Sequence, residues 1–290
     1  MSADWISFGS EALRAGVNPY GAELSSLIDG DGAELMTDAD PAYWTGRAPI
    51  LFPIVGALSG DRYRVDGADY MMPKHGFARR STFALVGVDD DRATFRLEAS
   101  DATRASYPFD FALTVDFRVV EATLTIETTL ANTGDRDLPA SFGYHPAFAW
   151  PLPYGGARED HVLTFDADEA DMLMALTPDG LIAGERASPL HDRTLPLRDD
   201  LFADDALIWS PVASQGVTYG VPGQPSLRIE WDAAELGVWT KPGAAFVCVE
   251  PWWGHADRLG FAGEIWDKPG IMRLAPGERH MFAMHVTLTG

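Results

Sequence analysis

Cysteine is nearly missing from this chain of 290 residues: Cys248 stands alone, which excludes a disulfide within the chain and a cysteine-rich zinc site, and suits a reducing compartment. Basic side chains are scarce as well, with 22 lysines and arginines against 43 aspartates and glutamates, a net charge of −21. That excess repels phosphate backbones and anionic lipid surfaces, so neither nucleic acid nor membrane is an expected partner. No apolar run approaches the roughly 20 residues that span a bilayer. Met1 to Leu13 is broken by Asp4, Gly9 and Glu11 and contains no apolar stretch of the secretory kind, so the cytoplasm is the expected location. Internal repeats, low-complexity tracts and a nucleotide-binding glycine loop are absent too; no strand-then-helix pattern surrounds Gly9, Gly16 and Gly21.

Helical periodicity is equally rare. Only Asp168 to Leu176 and Asp232 to Leu236 read as a turn or two of helix, too short to cross between parallel strands. What the chain has instead is period-two alternation. Phe109, Phe111, Leu113, Val115, Phe117 and Val119 form one face of a stretch whose other face carries Asp110, Thr114, Asp116 and Arg118, the pattern of a half-buried strand. Leu124 to Leu130, Ala93 to Ala99, Leu227 to Trp231 and Phe282 to Leu288 repeat it. Turn signals such as Asp66-Gly67, Asn132-Thr133-Gly134 and Pro222-Gly223 punctuate the runs, and 28 glycines with 20 prolines supply the breaks. So many one-sided strands are buried most economically by two packed sheets. The expected fold is all-β, one large antiparallel β-sandwich over residues 1–290, because Pro151 to Asp160 and Asp199 to Asp205 are too short and mixed to be linkers. Exposed edge strands in such a sandwich leave room for a homodimer.

Three segments carry groups able to move protons. Ala244 to Val249 is a continuous apolar run, the mark of a strand buried on both faces, and it delivers Glu250 at its end before Pro251 stops the pairing. Desolvation there raises a carboxyl pKa toward the range of a general base; a strand-end acid is otherwise a capping or surface group. The adjacent Trp252 and Trp253 suit a sugar site, where a flat ring lies against the C–H face of a pyranose, with one of the two expected in the core. His145 stands between Tyr144 and Pro146, and the proline biases it away from helix and fixes a turn. Its imidazole suits proton transfer near neutral pH, or a structural hydrogen bond. His75 lies in Pro73-Lys74-His75-Gly76-Phe77-Ala78-Arg79, where Lys74 and Arg79 offer donors for hydroxyls or a phosphate. Arg47, in the largely apolar Trp44 to Pro53, needs a partner, either a structural acid or a substrate oxygen. The other histidines are less specific: His280 and His285 on opposite faces of the last strand, His161 and His191 in polar loops, His255 after the tryptophans.

Taken in order, Trp44 to Phe52, Pro73 to Arg79, Gly143 to Phe148 and Val247 to Gly254 resemble the motifs of the aldose 1-epimerase (galactose mutarotase) family, most closely its shorter bacterial LacX-type branch, and they spread over most of the chain. The resemblance implies a galactose mutarotase-like β-sandwich and cofactor-free exchange of α and β anomers of an aldose. It assigns Glu250 as the base that takes the C1 hydroxyl proton and His145 as the acid that protonates the ring oxygen. His75 and Arg47 then correspond to residues that hold the sugar, beside the donor Arg79 and the stacking Trp252 read from the residues themselves, and a binding aspartate between the two catalytic motifs is Asp205, with Asp204 as the alternative. Ring opening requires one proton lost at O1 and one gained at O5, which two such groups within about 3 Å of the oxygens perform without a metal or nucleotide. This chain departs from the galactose-specific pattern at Gly46-Arg47, at Pro146-Ala147-Phe148 and after Glu250, so the sugar is not fixed, and a phosphorylated hexose fits Lys74 and Arg79. Two other readings compete: a carbohydrate-binding protein without turnover, and a metal-dependent sugar isomerase, against which the lack of close His-x-His spacing speaks.

Overall fold

The computed structural model describes residues 5–290, and every ladder between its strands is antiparallel. Two large sheets dominate. The first has nine strands in the spatial order Thr194–Pro196, Val162–Phe165, Gly216–Gly220, Ser226–Trp231, Arg279–Thr289, Thr123–Asn132, Phe111–Val120, Arg92–Glu98 and Ala84–Val88. The second runs Ile182–Ala187, Met172–Leu176, Leu207–Trp209, Glu235–Trp239, Phe246–Trp253, Phe142–Tyr144 and Ile50–Leu51, with Ala147–Ala149 also paired to Phe246–Trp253. Alternation decides which side chains meet between them. Phe111, Leu113, Val115, Phe117 and Val119 are buried, as are Leu124, Ile126 and Leu130 on the neighbouring strand.

The sheets face each other through interleaved rings. Phe142 stacks on Phe282 with centroids 4.2 Å apart, Trp253 meets Phe282 edge-on at 4.9 Å, and Phe165 lies 5.0 Å from Trp209. The Tyr144 hydroxyl crosses the layer to donate to Thr128 Oγ1 at 2.8 Å, giving a buried polar tip its partner. One apolar cluster extends from Phe8 to Val286. No helix among the described residues is long and apolar enough to cross a membrane.

Turn chemistry follows the sequence where glycine and aspartate provide it. Asp66 and Gly67 both take positive φ (52° and 76°) and close a two-residue hairpin between Arg62–Val65 and Ala68–Met71. The two helical expectations fail. Met172–Leu176 and Glu235–Trp239 are strands, each hydrogen-bonded to a strand on both sides, so distant pairing overrides the helix preference of Met, Leu and Ala. Among the described residues the only α-helix is Asp101–Arg104, capped by Ser100 and Thr103 in a reciprocal box. His161 is not in an exposed loop either. Its side chain is fully buried, accepting from Leu152 N at Nε2 and placed 3.0 Å from the Ala157 carbonyl at Nδ1.

Candidate active site

Glu250 lies mid-strand, and Pro251 does not end the pairing: Phe246–Trp253 continues past it, with Pro251 opposite Leu236. The reason is a gap in the ladder on the other side. Ala147–Ala149 pairs with Phe246 to Cys248, Phe142 and Gly143 pair with Trp253 and Trp252, and nothing forms a regular rung between. Val249 N reaches into the gap to Pro146 O at 3.3 Å. Because alternate amides point the same way, the N–H that Pro251 lacks would have pointed there too. His145 and Pro146 occupy this gap, so the interruption that tolerates a proline also sets the imidazole beside Glu250.

Strand alternation then sorts the side chains. Val247, Val249 and Trp253 face the core between the sheets, while Cys248, Glu250 and Trp252 face the opposite side. There a cavity of about 430 Å³ opens, lined by His75, Arg79, His145, Asp205, Glu250 and Trp252 among others. His145 Nε2 is 3.2 Å from Glu250 Oε2. Both side chains are almost wholly buried, and His145 Nδ1 and Glu250 Oε2 have no hydrogen-bond partner. Burial pushes the Glu250 carboxyl well above the ordinary carboxylate range, and Asp205 adds to the effect, whereas Lys74 and Arg79 pull the other way. Burial, with Arg79 and Lys74 adding, lowers the His145 imidazole to about 3. Burial therefore favours the neutral forms, one proton on the carboxyl and none to spare on the ring. Shifting that proton across 3.2 Å gives carboxylate and imidazolium.

His75 is held by a strained turn. It and Gly76 take consecutive positive φ (67° and 71°), and a Cβ on Gly76 would come within 2.1 Å of Phe52 O. The His75 backbone N–H donates to Gly56 O, while Nδ1 accepts from Gly56 N at 3.1 Å, which fixes the tautomer with the proton on Nε2. Its ring meets His145 edge-on, centroids 5.9 Å apart. Burial and the neighbouring His145 keep it far below the usual histidine value, so it stands as a neutral donor.

Trp252 forms a flat wall because its neighbours have no side chains. A Cβ on Gly143 or Gly237, on the strands to either side, would approach the indole to 2.6 Å. Its partner Trp253 turns into the core against Phe142, Tyr144 and Phe282. Asp205, with φ of 73°, lines the cavity with one carboxylate oxygen capped by Ala206 N at 2.8 Å; Asp204 lines a neighbouring depression instead. Arg79 projects from the short turn Ala78–Arg80, and none of its guanidinium nitrogens has a hydrogen bond or ion pair among the described residues.

Arg47 is the exception. Its guanidinium donates to the carbonyls of Thr37 and Asp38, the latter at 2.9 Å, lies over the Trp5 ring, and does not line the cavity. Backbone oxygens supply the partner it needs. Sequence reasoning also passed over Trp44 and Trp239, whose rings lie 5.0 and 5.9 Å from that of His145, and Lys241 at the rim. Trp239 ends, and Lys241 follows, a strand whose first half was misread as helix; Trp44 stood in a quoted segment without being singled out.

Comparison with known proteins gives the family. The family model for aldose 1-epimerase matches residues 4–284. The chromosomal protein LacX of Lactococcus lactis subsp. lactis is 30% identical over 98% of this chain and 99% of its own length. A Salmonella typhimurium protein with the provisional name glucose-6-phosphate 1-epimerase is 36% identical over 60% of this chain and 61% of its own. Among solved structures, a galactose mutarotase related enzyme from Lactobacillus acidophilus superposes with a TM-score of 0.92 at 29% identity, covering 99% of this chain and 97% of that one. With the fold, nearly the whole length and the family model in agreement, this chain belongs to the aldose 1-epimerase family.

Proposed function

We propose that the protein is an aldose 1-epimerase in activity as well as in family, exchanging the α and β anomers of an aldose at the cavity beside Trp252. The observation that carries the reading is the His145–Glu250 contact of 3.2 Å at a cavity large enough for a hexose, with neither group saturated by protein hydrogen bonds. Glu250, as carboxylate, removes the O1 proton of the hemiacetal. His145, as imidazolium, delivers a proton to O5, and the ring opens to the aldehyde. Rotation about C1–C2 and the reverse transfers close the ring on the other face, after which each group holds what it started with. One proton shared by two groups is the stoichiometry that this cycle needs, so no cofactor takes part.

The other lining residues act by placement. Trp252 lies against the sugar's C–H face, His75 and Arg79 donate to hydroxyls, and Asp205 accepts from them. A hexose 6-phosphate is the alternative substrate, favoured by Lys74, Arg79 and Lys241 around one cavity in a chain of net charge −21. Polarimetry on a panel of free aldoses and their 6-phosphates tests both. Accelerated exchange with at least one sugar, lost in Glu250→Gln and in His145→Asn, is the expected result. Sugar binding without acceleration across the panel would make the protein a carbohydrate-binding member of the family.

A further inference from the structure

Mutarotation makes no use of Cys248, yet its thiol sits with the two reacting groups. The strand Phe246–Trp253 places Cys248 and Glu250 on the same face, two residues apart, and Cys248 lies opposite Ala147, two residues beyond His145. One ligating atom from each of His145, Cys248 and Glu250 falls within 4.8 Å of the others, and all three residues are buried. The 3.2 Å from imidazole nitrogen to carboxylate oxygen is close to the edge of a tetrahedron around an ion bonded at about 2.0–2.1 Å. The Glu250 oxygen in that contact has no hydrogen bond to satisfy it, although the residue is only 1% exposed.

We propose that His145, Cys248 and Glu250 form an inhibitory site for a borderline-soft divalent cation of the zinc class. A nitrogen, a sulfur and an oxygen donor within 4.8 Å of one another suit zinc and disfavour magnesium or calcium, which prefer six or more oxygens. Three protein ligands leave the fourth position to water from the cavity. Binding expels two protons to solvent, the thiol proton and the one shared by His145 and Glu250, and the ion's own charge drives that loss. With both lone pairs committed to the metal, neither group is free to exchange a proton with a sugar. The site is thus an inhibitor's and not a cofactor's. The inhibitory consequence rests on the aldose 1-epimerase reading; the binding does not.

Cobalt(II) added to the purified full chain without sugar tests binding. One equivalent should produce a thiolate-to-cobalt charge-transfer band with tetrahedral visible bands, and zinc should displace it. Cys248→Ser should abolish the band and weaken zinc binding at least about tenfold, with Cys248→Ala as a second variant should the buried hydroxyl impair folding. In chelator, either folded variant should catalyse exchange as the parent does, while micromolar zinc stops the parent and spares the variant. Absence of a thiolate band in the parent, or equal zinc sensitivity in parent and variant, would overturn the proposal. A thiolate band in a protein that accelerates no sugar would leave the metal site standing and remove the mutarotase reading.

Discussion

Two buried pairs of opposite-sign chemistry lie close together, and they are finished differently. Lys268 and Asp257 meet at 2.9 Å with side chains 0% and 3% exposed, and both have further protein partners: Lys268 Nζ also donates to His255 O, and the second Asp257 oxygen accepts from Ser59 N. His145 and Glu250 are also buried, with side chains 9% and 2% exposed, but leave an imidazole nitrogen and a carboxylate oxygen without partners. Ala256, next to Asp257, lines the cavity, so one segment joins the two. The first pair is held by protein partners on both of its members, and the second keeps unpaired atoms beside the cavity. Unsatisfied buried groups cost stability, and functional sites are where such a cost is tolerated.

Substitution should separate the pairs cleanly. The largest effect belongs to the open pair: Glu250→Gln and His145→Asn should each slow anomer exchange by about 10²- to 10⁴-fold in polarimetry, while denaturant unfolding shows stability changed by less than about 1 kcal/mol. The reverse holds at the closed pair. Lys268→Met leaves Asp257 charged and unpaired in the interior and should cost about 3–5 kcal/mol in urea unfolding. If Lys268→Met proved harmless to stability, or Glu250→Gln strongly destabilising, the contrast would fail. Next in size is Gly237→Ala, whose methyl group would press on the Trp252 ring. It should destabilise by about 1–3 kcal/mol and raise KM more than it lowers kcat, measurable by steady-state kinetics.

Acid distinguishes the buried histidines outside the site. Burial depresses His161 and His255 below the ordinary histidine value, so their contribution to stability is complete above about pH 6.5 and is lost as the unfolded chain takes up protons that the folded one refuses. Each contributes a slope of up to about 1.4 kcal/mol per pH unit through that window. Glu235, raised by burial, acts in the opposite sense, because the folded protein keeps a proton that the unfolded chain releases as pH rises above about 4.5. Urea titrations from pH 7 to 5 should therefore show falling stability, with a shallower slope in His161→Gln. The smallest effect is at Arg47: Arg47→Ala should leave KM for the sugar unchanged, whereas Arg79→Ala raises it.

The strands of the nine-stranded sheet were readable because each buries one face, and Phe111 to Val119 or Leu124 to Leu130 announce it by alternation. Met172–Leu176 was not, since its partners Ile182–Ala187 and Leu207–Trp209 lie elsewhere in sequence and local preference points to helix. His145 and Glu250 could be named in advance as candidates, but their 3.2 Å contact depends on the broken ladder that no local pattern reveals. Arg47 misled for the converse reason. A cation in an apolar segment signals that a partner exists, and only the fold shows that the partner is the backbone at Thr37 and Asp38.

The gap in the sheet opposite Pro251 has a consequence for how this protein can change. His145 and Glu250 are spaced by strand register, so slipping Phe246–Trp253 by one residue would present Val249 and Pro251 to the cavity and send Glu250 into a layer of packed rings. Loops around the rim, which carry Lys74, Asp205 and Lys241, are under no such constraint. The lining of the cavity is thereby free to drift while the proposed proton-transfer pair stays fixed.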